Sequence, residues 1–554
     1  MQVKFSVLQL NVFIGLCAAL ILLPFLGLVH LFDWDEINFA ECAREMLVTH
    51  DYFTVRINFQ PFWEKPPLFI WMSAASMSLF GVNEFAARFP DALCGIVTLL
   101  VIFNIGRRLY DVGFGLIWAL CYMASFLPQF YFKSGIIDPW FNFFIFSGVY
   151  FFVLFCSRDQ VAKKGDRKVL LLSALMIGLA VLTKGPVALL IMGLCLMVYL
   201  LIKRFRGVIL LGDFFLYGII ILLVGGLWFL LLYLSGNGAV INEFFAYQVR
   251  LFQTQDSGHG GPFYYHVLVL FFGCFPASVF ALGSFKISRT DSPFQKMFKL
   301  WMVILFWVVL ILFSIVSTKI IHYSSLCYFP LTFLSSLTVY RIWNGTLAWK
   351  RWMGFVMIFG GGLIALIFIG FPLAEVFKRR VIDSGIIHDV FAVENLKADV
   401  ALSWWEWIPG PLLCGLIVYC LVMCRRKRFF RGILVLLAGN VLVIGLASVL
   451  FAPRIERYAQ GAAIDFYKSL QNKDCYLETV AFKSYAQYFY SAKLPAKNTQ
   501  SYSTAWLLDG PVDKDVYFVS KITQKDETLK DHPSLRVLYD KNGFVFYERK
   551  LVFN

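Results

Sequence analysis

Acidic residues open the first long polar segment of the chain, and their type and spacing suit proton transfer. Asp35 and Glu36 precede a run in which apolar residues between Phe39 and Leu47 fall on one face of a helix. This pattern predicts an amphipathic helix that lies along a membrane surface. A carboxylate at its start could accept a proton from an acceptor group in a polar cleft. Helix capping is the alternative explanation, because acidic side chains there bind free amide groups and oppose the helix dipole.

Basic residues on the same side of the predicted membrane are few and isolated. Most of them sit at the exterior ends of different apolar runs, so a bundle of these runs would let them converge on one cavity. Cations at that depth suit an anionic headgroup, and phosphate is the common anion of membranes. These residues are Arg44, Arg56, Lys65, Arg88, Lys133, Lys184, Arg250, Lys319 and the trio Lys378, Arg379 and Arg380.

Three short motifs add candidates. In the Glu-Lys-Pro-Pro motif at 64–67, the prolines predict a turn that would hold Lys65 in place, although an interfacial lysine beside a glutamate needs no function. Asp138 starts a predicted span, where capping before a proline is the alternative explanation. The third motif, at the mouth of a later span, contains Lys319, His322 and Tyr323. A lone histidine in the position of His322 is more often packed or solvated than a ligand.

Metal ligands are not signalled by the sequence. The twelve cysteines show no CxxC or Cys/His spacing, and ten of them lie inside apolar runs, where packing explains them. Glu64 with His259 or His266 is a conceivable but speculative pairing. The sequence therefore predicts no certain cofactor and leaves a divalent metal open.

The composition requires a membrane. The chain has 554 residues, of which 59% are hydrophobic and 15% charged, with a mean hydropathy of +0.70. A soluble domain is about one quarter charged, so this mixture cannot build a water-facing surface. The net charge of +15 comes from Lys and Arg in short clusters between apolar runs. That placement indicates topology signals and excludes nucleic acid as an expected partner.

Thirteen apolar runs are long enough to be candidate spans. The first is too long for a signal-peptide core and is expected to remain as a span. The fifth and sixth arise because Lys184-Gly185-Pro186 divides one long run in two. The runs cover residues 7–29, 85–106, 112–131, 136–157, 168–184, 186–202, 212–235, 263–283, 298–317, 324–342, 352–373, 407–424 and 429–451.

Basic clusters fix the predicted orientation. With the N-terminus in the cytoplasm and strict alternation, all six clusters fall on the cytoplasmic side, as the positive-inside rule requires. The exterior side then contains the segments 31–84, 236–262 and 374–406, together with the C-terminal hundred residues. The clusters are Arg107-Arg108; Arg158 with Lys163, Lys164, Arg167 and Lys168; Lys203, Arg204 and Arg206; Lys286, Arg289, Lys296 and Lys299; Arg341, Lys350 and Arg351; and Arg425–Arg428 with Arg431.

Hydropathy drops after Pro453, and the pattern changes. Residues 455–470 predict an amphipathic helix, and short β-type runs follow at 475–482, 516–519, 535–539 and 544–547. The predicted fold is thus mainly α: a polytopic bundle at 1–451 with the exterior loop 31–84, and a small exterior α/β domain at 452–554.

At these residues the chain resembles the lipid A aminoarabinose transferases and, more distantly, the protein O-mannosyltransferases. Both are C-type membrane glycosyltransferases, and the likeness covers residues 1–345 best. The motifs occur in the order of that family: Asp35-Glu36 with Ala40-Glu41 and Arg44-Glu45-Met46; Glu64-Lys65-Pro66-Pro67; Ala87–Pro90; Asp138-Pro139; Leu182–Gly185; Gly261–Tyr265; and Lys319 with Tyr323.

The resemblance implies transfer of a sugar from undecaprenyl phosphate to an acceptor, with inversion at the anomeric carbon. Asp35 matches the essential first-loop carboxylate, and Asp138 a second acidic position; Glu36 joins them as a catalytic candidate. Phosphate-binding candidates are Lys65, Arg250, Lys319 and Tyr323. Supporting candidates are Glu64, Arg44, Arg88, Lys184 and His322.

One departure from the family pattern bears on the identity of the sugar and of the lipid A acceptor more than on the transfer chemistry. After Asp-Glu the aminoarabinose transferases usually continue Thr-Arg-Tyr, whereas this chain has Ile37-Asn38-Phe39, so Asn38 replaces an arginine expected near phosphate. The acceptor is therefore expected to be lipid A, another glycan or a protein. The chain itself is expected to be a monomer in a bacterial inner membrane. The alternative from another class is a transporter or lipid flippase, although the acidic residues cluster at one face and no repeat is visible.

Overall fold

The structure is a computed structural model. It describes residues 6–157, 166–205, 210–254, 260–285 and 291–551. Parts of the predicted basic clusters lie outside the described residues, namely Arg158, Lys163, Lys164, Arg206, Lys286 and Arg289.

Helices make up most of the first two hundred residues. They are α1 (Val7–Leu22), α2 (Asp35–Thr49), α3 (Leu68–Phe80), α4 (Glu84–Leu109), α5 (Val112–Met123), α6 (Phe126–Tyr131), α7 (Asp138–Ser157), α8 (Arg167–Lys184) and α9 (Val187–Ile202). A two-stranded hairpin, β1 (Arg56–Ile57) with β2 (Gln60–Pro61), lies between α2 and α3.

Helices continue through the middle of the chain. They are α10 (Leu211–Ile221), α11 (Leu227–Leu234), α12 (Gly238–Gln253), α13 (Tyr265–Gly273), α14 (Ala277–Ala281), α15 (Pro293–Ile315), α16 (Tyr328–Trp343), α17 (Arg351–Asp383), α18 (Val390–Leu396), α19 (Pro409–Arg425) and α20 (Phe429–Ala459). A π-helical turn (Leu222–Gly226) joins α10 to α11, and 3₁₀ turns precede α16 (Ile321–Cys327) and α19 (Trp404–Trp407).

The helices confirm an integral membrane protein. Within the described ranges, seven helices are long and apolar enough to cross a membrane: Glu84–Leu109, Asp138–Ser157, Leu211–Leu234, Pro293–Ile315, Arg351–Asp383, Trp404–Arg425 and Phe429–Ala459. Each of the thirteen predicted runs coincides with helical structure, and several are built from two shorter pieces. The number of spans stays a prediction.

The break between α8 and α9 falls where the sequence predicts it. Gly185 ends α8 with a φ of +94°, a conformation that L side chains rarely adopt. Its backbone N–H donates to the carbonyl of Val181, and Pro186 follows directly, so α9 begins in a new direction. This break leaves Lys184 at the last position of α8, near the first residue of α7.

The segment after α20, which the sequence predicts to lie outside and which we call the exterior unit, contains a four-stranded sheet of β3 (Tyr476–Thr479), β4 (Val516–Lys521), β5 (Arg536–Lys541) and β6 (Phe544–Arg549). The strand order is β3-β4-β6-β5, with β3 parallel to β4 and the other pairs antiparallel. Helices α21 (Gly461–Ser469), α22 (Ala486–Tyr490), α23 (Thr504–Asp509) and α24 (Lys525–Asp531) accompany it. The predicted small α/β unit is confirmed. The boundary at 451 and 452 stays a prediction, since α20 runs through it.

Two sequence expectations differ from the structure. The single helix expected at 455–470 is the end of α20 followed by α21. Helix α2 forms as expected, but it does not lie with its polar face in water, because all residues from Glu36 to Met46 are buried. Its apolar residues share one hydrophobic cluster with α3 and with α21 and α22 of the exterior unit. The polar residues Glu41, Arg44 and Glu45 lie near Lys493 of the exterior unit, so this unit also covers part of the face that the sequence pattern assigned to solvent.

Candidate active site

A cavity of about 150 Å³ lies where α2, α7, α8, α9, α12 and α15 meet the 3₁₀ turn before α16. Its wall is divided chemically into two groups. The polar lining residues are Asp35, Lys65, Asp138, Asn142, Lys184, Gln248, His322 and Tyr323. The apolar lining residues include Val187, Leu190, Ile191, Leu312, Phe313 and Val316, from α9 and α15 and the residue that follows it. The cavity can therefore hold a ligand with one anionic and one hydrocarbon part.

Two carboxylates in this cavity face the same imidazole. The Nε2 atom of His322 is 3.4 Å from Oδ2 of Asp35 and 3.8 Å from Oδ2 of Asp138. The other oxygen of Asp138 accepts a hydrogen bond of 2.6 Å from Nζ of Lys184. Asp35 is the accessible member of this group, with a third of its side chain exposed (33%), whereas Asp138 is almost fully buried (3%). Asp35 is thus the carboxylate open to a substrate.

Helix ends explain the pairing of Asp138 with Lys184. Asp138 is the first residue of α7 and Lys184 the last residue of α8, so each charge opposes the dipole of its own helix. The buried carboxylate needs a partner, because an uncompensated buried charge costs several kcal/mol. Lys184 also lies 5.3 Å from the ring centre of Tyr323, which brings that residue into the same cluster.

Lys65 and Arg250 share one aromatic ring. The Lys65 ammonium lies 5.2 Å, and the Arg250 guanidinium 5.1 Å, from the ring centre of Tyr247 on α12. Lys65 and Tyr247 both line the cavity. Cation–π contacts of this kind stabilise both charges beside Tyr247. Arg250 is exposed and is not among the residues that line the cavity.

Burial lowers the pKa of His322 below its ordinary value. The carboxylates of Asp138 and Asp35 act in the opposite direction, while Lys184 and Lys65 add to the lowering. The imidazole is consequently neutral at neutral pH. Two positive charges and two negative charges then remain around it.

Glu36 and Arg88 lie outside the cavity lining, although they flank it in sequence. Arg88 donates to both carboxylate oxygens of Glu36 at 2.9 and 2.8 Å, and to the carbonyls of Leu26, Val29 and His30. Burial raises the pKa of Glu36, but Arg88 and two backbone N–H groups outweigh it and hold the pKa below its ordinary value. This pair joins α2 to α4 and the turn after α1.

Three more candidates are engaged elsewhere. Lys319 donates to the carbonyls of Phe313, Ser314 and Val316 and so closes the end of α15. Arg44 makes a two-point contact with Glu41, at 2.7 and 2.6 Å, under the exterior unit. Glu64 lies 3.8 Å from Lys483 of the exterior unit. None of these three lines the cavity.

Some lining residues were missed by sequence reasoning. Tyr247 precedes Arg250 by three residues on α12, and Asn142 follows Asp138 by four residues on α7. Residues with these spacings share a helix face, which is the signal that could have found them.

No group of three His, Cys, Asp or Glu side chains that could hold a metal ion occurs in the part of the chain that the structure describes. His266 is buried and contacts the Ser324 hydroxyl at 3.2 Å. His259 lies outside the described residues.

Comparison with known proteins places this geometry in context. Residues 64–230 match the family of dolichyl-phosphate-mannose-protein mannosyltransferases. An undecaprenyl phosphate-alpha-4-amino-4-deoxy-L-arabinose arabinosyl transferase of Pectobacterium carotovorum is 26% identical over 74% of this chain and 75% of its own length. The protein of that name from Edwardsiella ictaluri is 24% identical over 68% of this chain and 70% of its own length.

Solved structures show the fold. ArnT from Cupriavidus metallidurans, bound to undecaprenyl phosphate, superposes with a TM-score of 0.75 at 20% identity and covers 98% of both chains. The archaeal oligosaccharyltransferase AglB from Archaeoglobus fulgidus gives a TM-score of 0.51 at 12% identity over 98% of this chain and 75% of its own. The predicted fold and the predicted resemblance are both confirmed: the chain has the fold of these membrane proteins and is similar in sequence to the aminoarabinose transferases.

Proposed function

We propose that this protein moves a sugar from a polyprenyl-phosphate carrier to lipid A, at the exterior face of a bacterial inner membrane. The sugar class that its relatives indicate is 4-amino-4-deoxy-L-arabinose. The observation that carries the proposal is the shared cavity, in which a partly exposed carboxylate, Asp35, and a cation, Lys65, face apolar residues of α9 and α15.

The apolar wall suits an isoprenoid chain, and the cations suit its phosphate. Hydrocarbon from the carrier would pack against the apolar side chains of α9 and α15 that line the cavity. The phosphate would lie beside Tyr247, within reach of Lys65 and Arg250. Tyr323 and the Asp138–Lys184 pair form the facing polar wall.

Transfer then proceeds by displacement at the sugar. The acceptor oxygen bonds to the anomeric carbon, the bond from that carbon to the carrier phosphate oxygen breaks, and the electron pair leaves with the phosphate. Lys65 and Arg250 stabilise the negative charge that grows on the leaving group. Attack from the side opposite the phosphate inverts the configuration.

Asp35 has a different task for each type of acceptor. A hydroxyl must lose a proton as it attacks, and Asp35 takes that proton as a general base. A phosphate acceptor is already ionised, so Asp35 would instead orient it or stabilise positive charge developing on the sugar. The donor bond supplies the driving force, so no nucleotide is required.

The active site and the exterior unit are proposed to lie on the periplasmic side, with the N-terminus in the cytoplasm. This follows from the basic clusters, and the packing of α2 against the exterior unit supports one common side for both. A reporter fused after Asn554 should be active only outside the cytoplasm. Activity inside it would show that the spans are miscounted.

Turnover by the purified protein tests the function. In detergent, with glycosylated undecaprenyl phosphate and lipid A, we expect release of undecaprenyl phosphate and a mass gain on lipid A, both absent in Asp35→Asn. A protein that produces neither, but moves the carrier across vesicle membranes, would be a flippase.

A second acceptor class is favoured by the mannosyltransferase match at residues 64–230. Mass spectrometry of lipid A, glycans and proteins from cells with and without this protein separates the acceptors. Sugar lost from proteins rather than from lipid A would indicate a protein glycosyltransferase.

A further inference from the structure

We propose that His322 is the positioning residue for Asp35, donating its Nε2–H group to the carboxylate that faces the acceptor. The inference rests on the proposed function and assigns a specific role to a side chain that the sequence names only as a supporting candidate. In this role His322 never touches the reacting atoms. It fixes the direction of the Asp35 oxygen that does.

The first argument is the identity of the nitrogen. One atom, Nε2, faces Oδ2 of Asp35 at 3.4 Å and Oδ2 of Asp138 at 3.8 Å. A neutral imidazole carries a single N–H. If that proton were on Nδ1, the lone pair of Nε2 would point at two negatively charged oxygens. The arrangement therefore selects the tautomer with its proton on Nε2.

The second argument decides which carboxylate receives the hydrogen bond. Asp138 already accepts a 2.6 Å hydrogen bond from Lys184 through its other oxygen. Asp35 is 0.4 Å nearer to Nε2, the difference between 3.8 and 3.4 Å. Among the residues described, Oδ2 of Asp138 accepts no hydrogen bond; it approaches the same nitrogen as Asp35 and acts on the imidazole through its charge.

The third argument concerns distance. An N–H to carboxylate hydrogen bond spans about 2.7–3.2 Å, so the 3.4 Å contact with Asp35 is longer than a formed bond. Hydrogen bonds of active sites are often long when the site is empty and shorten when substrate is bound. Occupation of the cavity would bring Asp35, at the start of α2, onto the imidazole.

Charged and titratable groups approach His322 from several elements. Because burial lowers its pKa, the imidazole is a neutral donor, and its hydrogen bond orients Asp35 without forming an ion pair with it. A protonated imidazole would hold Asp35 as an ion pair and weaken it as a base. The groups that act on His322 are Asp35, Lys65, Asp138, Lys184 and His266, and Tyr323 contacts it within its own 3₁₀ turn.

Two variants separate hydrogen bonding from packing. His322→Phe keeps a ring but has no N–H group, and we expect its kcat for transfer to fall about 10- to 100-fold with little change in the KM for the donor. His322→Gln places an N–H donor near the position of Nε2 and should recover most of that loss. Wild-type kcat in His322→Phe, or equal losses in both variants, would overturn the assignment.

A measurement without turnover keeps this inference separate from the proposed function. In protein labelled with ¹⁵N-histidine, the resonance lost in His322→Gln should report the Nε2–H tautomer at neutral pH, and it should shift in Asp35→Asn. An Nδ1–H tautomer, or no response to Asp35→Asn, would overturn the role of His322. If the NMR result holds while the wild type transfers no sugar, the proposed function fails alone.

Discussion

Adjacent residues of α2 have opposite surroundings. Asp35 reaches the cavity with a third of its side chain exposed, whereas Glu36 is buried and both its oxygens accept from Arg88. Successive residues of a helix point about 100° apart, so a one-residue step turns a side chain from the cavity into the protein. We therefore assign the role in transfer to Asp35 and a stabilising role to Glu36.

Substituting these neighbours should therefore give different losses. Asp35→Asn should lower kcat about 10²- to 10⁴-fold, because the base is removed, and leave the melting temperature unchanged. Glu36→Gln should leave the Arg88 charge buried without its partner and destabilise the fold by about 3–5 kcal/mol. Transfer kinetics and thermal unfolding of both proteins measure this. Equal kinetic losses in two equally stable variants would remove the distinction.

We expect the two cations that contact Tyr247 to bind the donor phosphate, and Lys319 not to bind it. Lys65→Ala and Arg250→Ala should each lower kcat/KM for the donor about 10²- to 10³-fold, since each removes a charge that stabilises the leaving phosphate. Lys319→Ala is the matched control, because that ammonium binds three carbonyls at the end of α15. It should reduce stability more than donor use. Normal donor kinetics in both Lys65→Ala and Arg250→Ala would place the phosphate elsewhere.

Residue-level prediction from the sequence was effective where a motif also fixes a backbone position. Asp35, Lys65, Asp138, Lys184, His322 and Tyr323 were named from the sequence, and all line the cavity. Lys319 was also named from the sequence but does not line the cavity. A lysine near the end of a span can reach outward to a ligand or back to free carbonyls, and the sequence is the same in both cases.

The geometry of the site depends on where the helices begin and end. The cavity wall depends on the break after α8, which puts Lys184 beside Asp138 and lets α12 pack over Gly185. The sequence predicts such breaks well because Gly and Pro change the backbone conformation locally. It predicted the α2 helix but not its burial, because the exterior unit that covers α2 lies more than four hundred residues away in the chain.

Substitution of Gly185 tests this element. In Gly185→Ala the new Cβ would lie 2.6 Å from Cζ of Phe244, at a φ of +94° that alanine disfavours. We expect α12 to shift together with Tyr247, and donor affinity to fall by roughly tenfold or more, as a 1 Å misplacement can cost up to about 10²-fold in rate. Gly193→Ala in α9 is the control, since nothing lies within 4 Å of its added Cβ. Identical donor titrations for both variants would contradict this view of the wall.

The exterior unit packs on the helix bundle at α2, where both share one hydrophobic cluster. Glu41, Arg44 and Glu45 of α2 are buried there, and the carboxylates of Glu41 and Glu45 interact across one turn. Burial, and then the charge of Glu41, raises the pKa of Glu45 well above its ordinary value of 4.5. Glu45 is therefore protonated in the folded protein at neutral pH.

This raised pKa makes stability fall with rising pH. The folded state binds a proton that the unfolded state releases above about pH 4.5, so the contribution is full below that pH and falls steadily until the pH passes the folded-state pKa of about 9. Glu45→Gln, which keeps the shape without the charge, should flatten the decline in thermal unfolding temperature. Glu527→Gln, at an exposed position of α24, should leave it unchanged. A decline as steep in Glu45→Gln as in the wild type would show that Glu45 is ionised in the folded protein.

The central claim is that one carrier phosphate binds between the first exterior loop and α12. An experimental structure of the protein with undecaprenyl phosphate measures this directly. The phosphate is predicted to lie within hydrogen-bonding reach of Lys65 and Arg250, with its chain along α9 and α15 and with Asp35 facing the position of the sugar. A phosphate bound away from both cations, with the cavity beside Asp35 empty, would contradict the account.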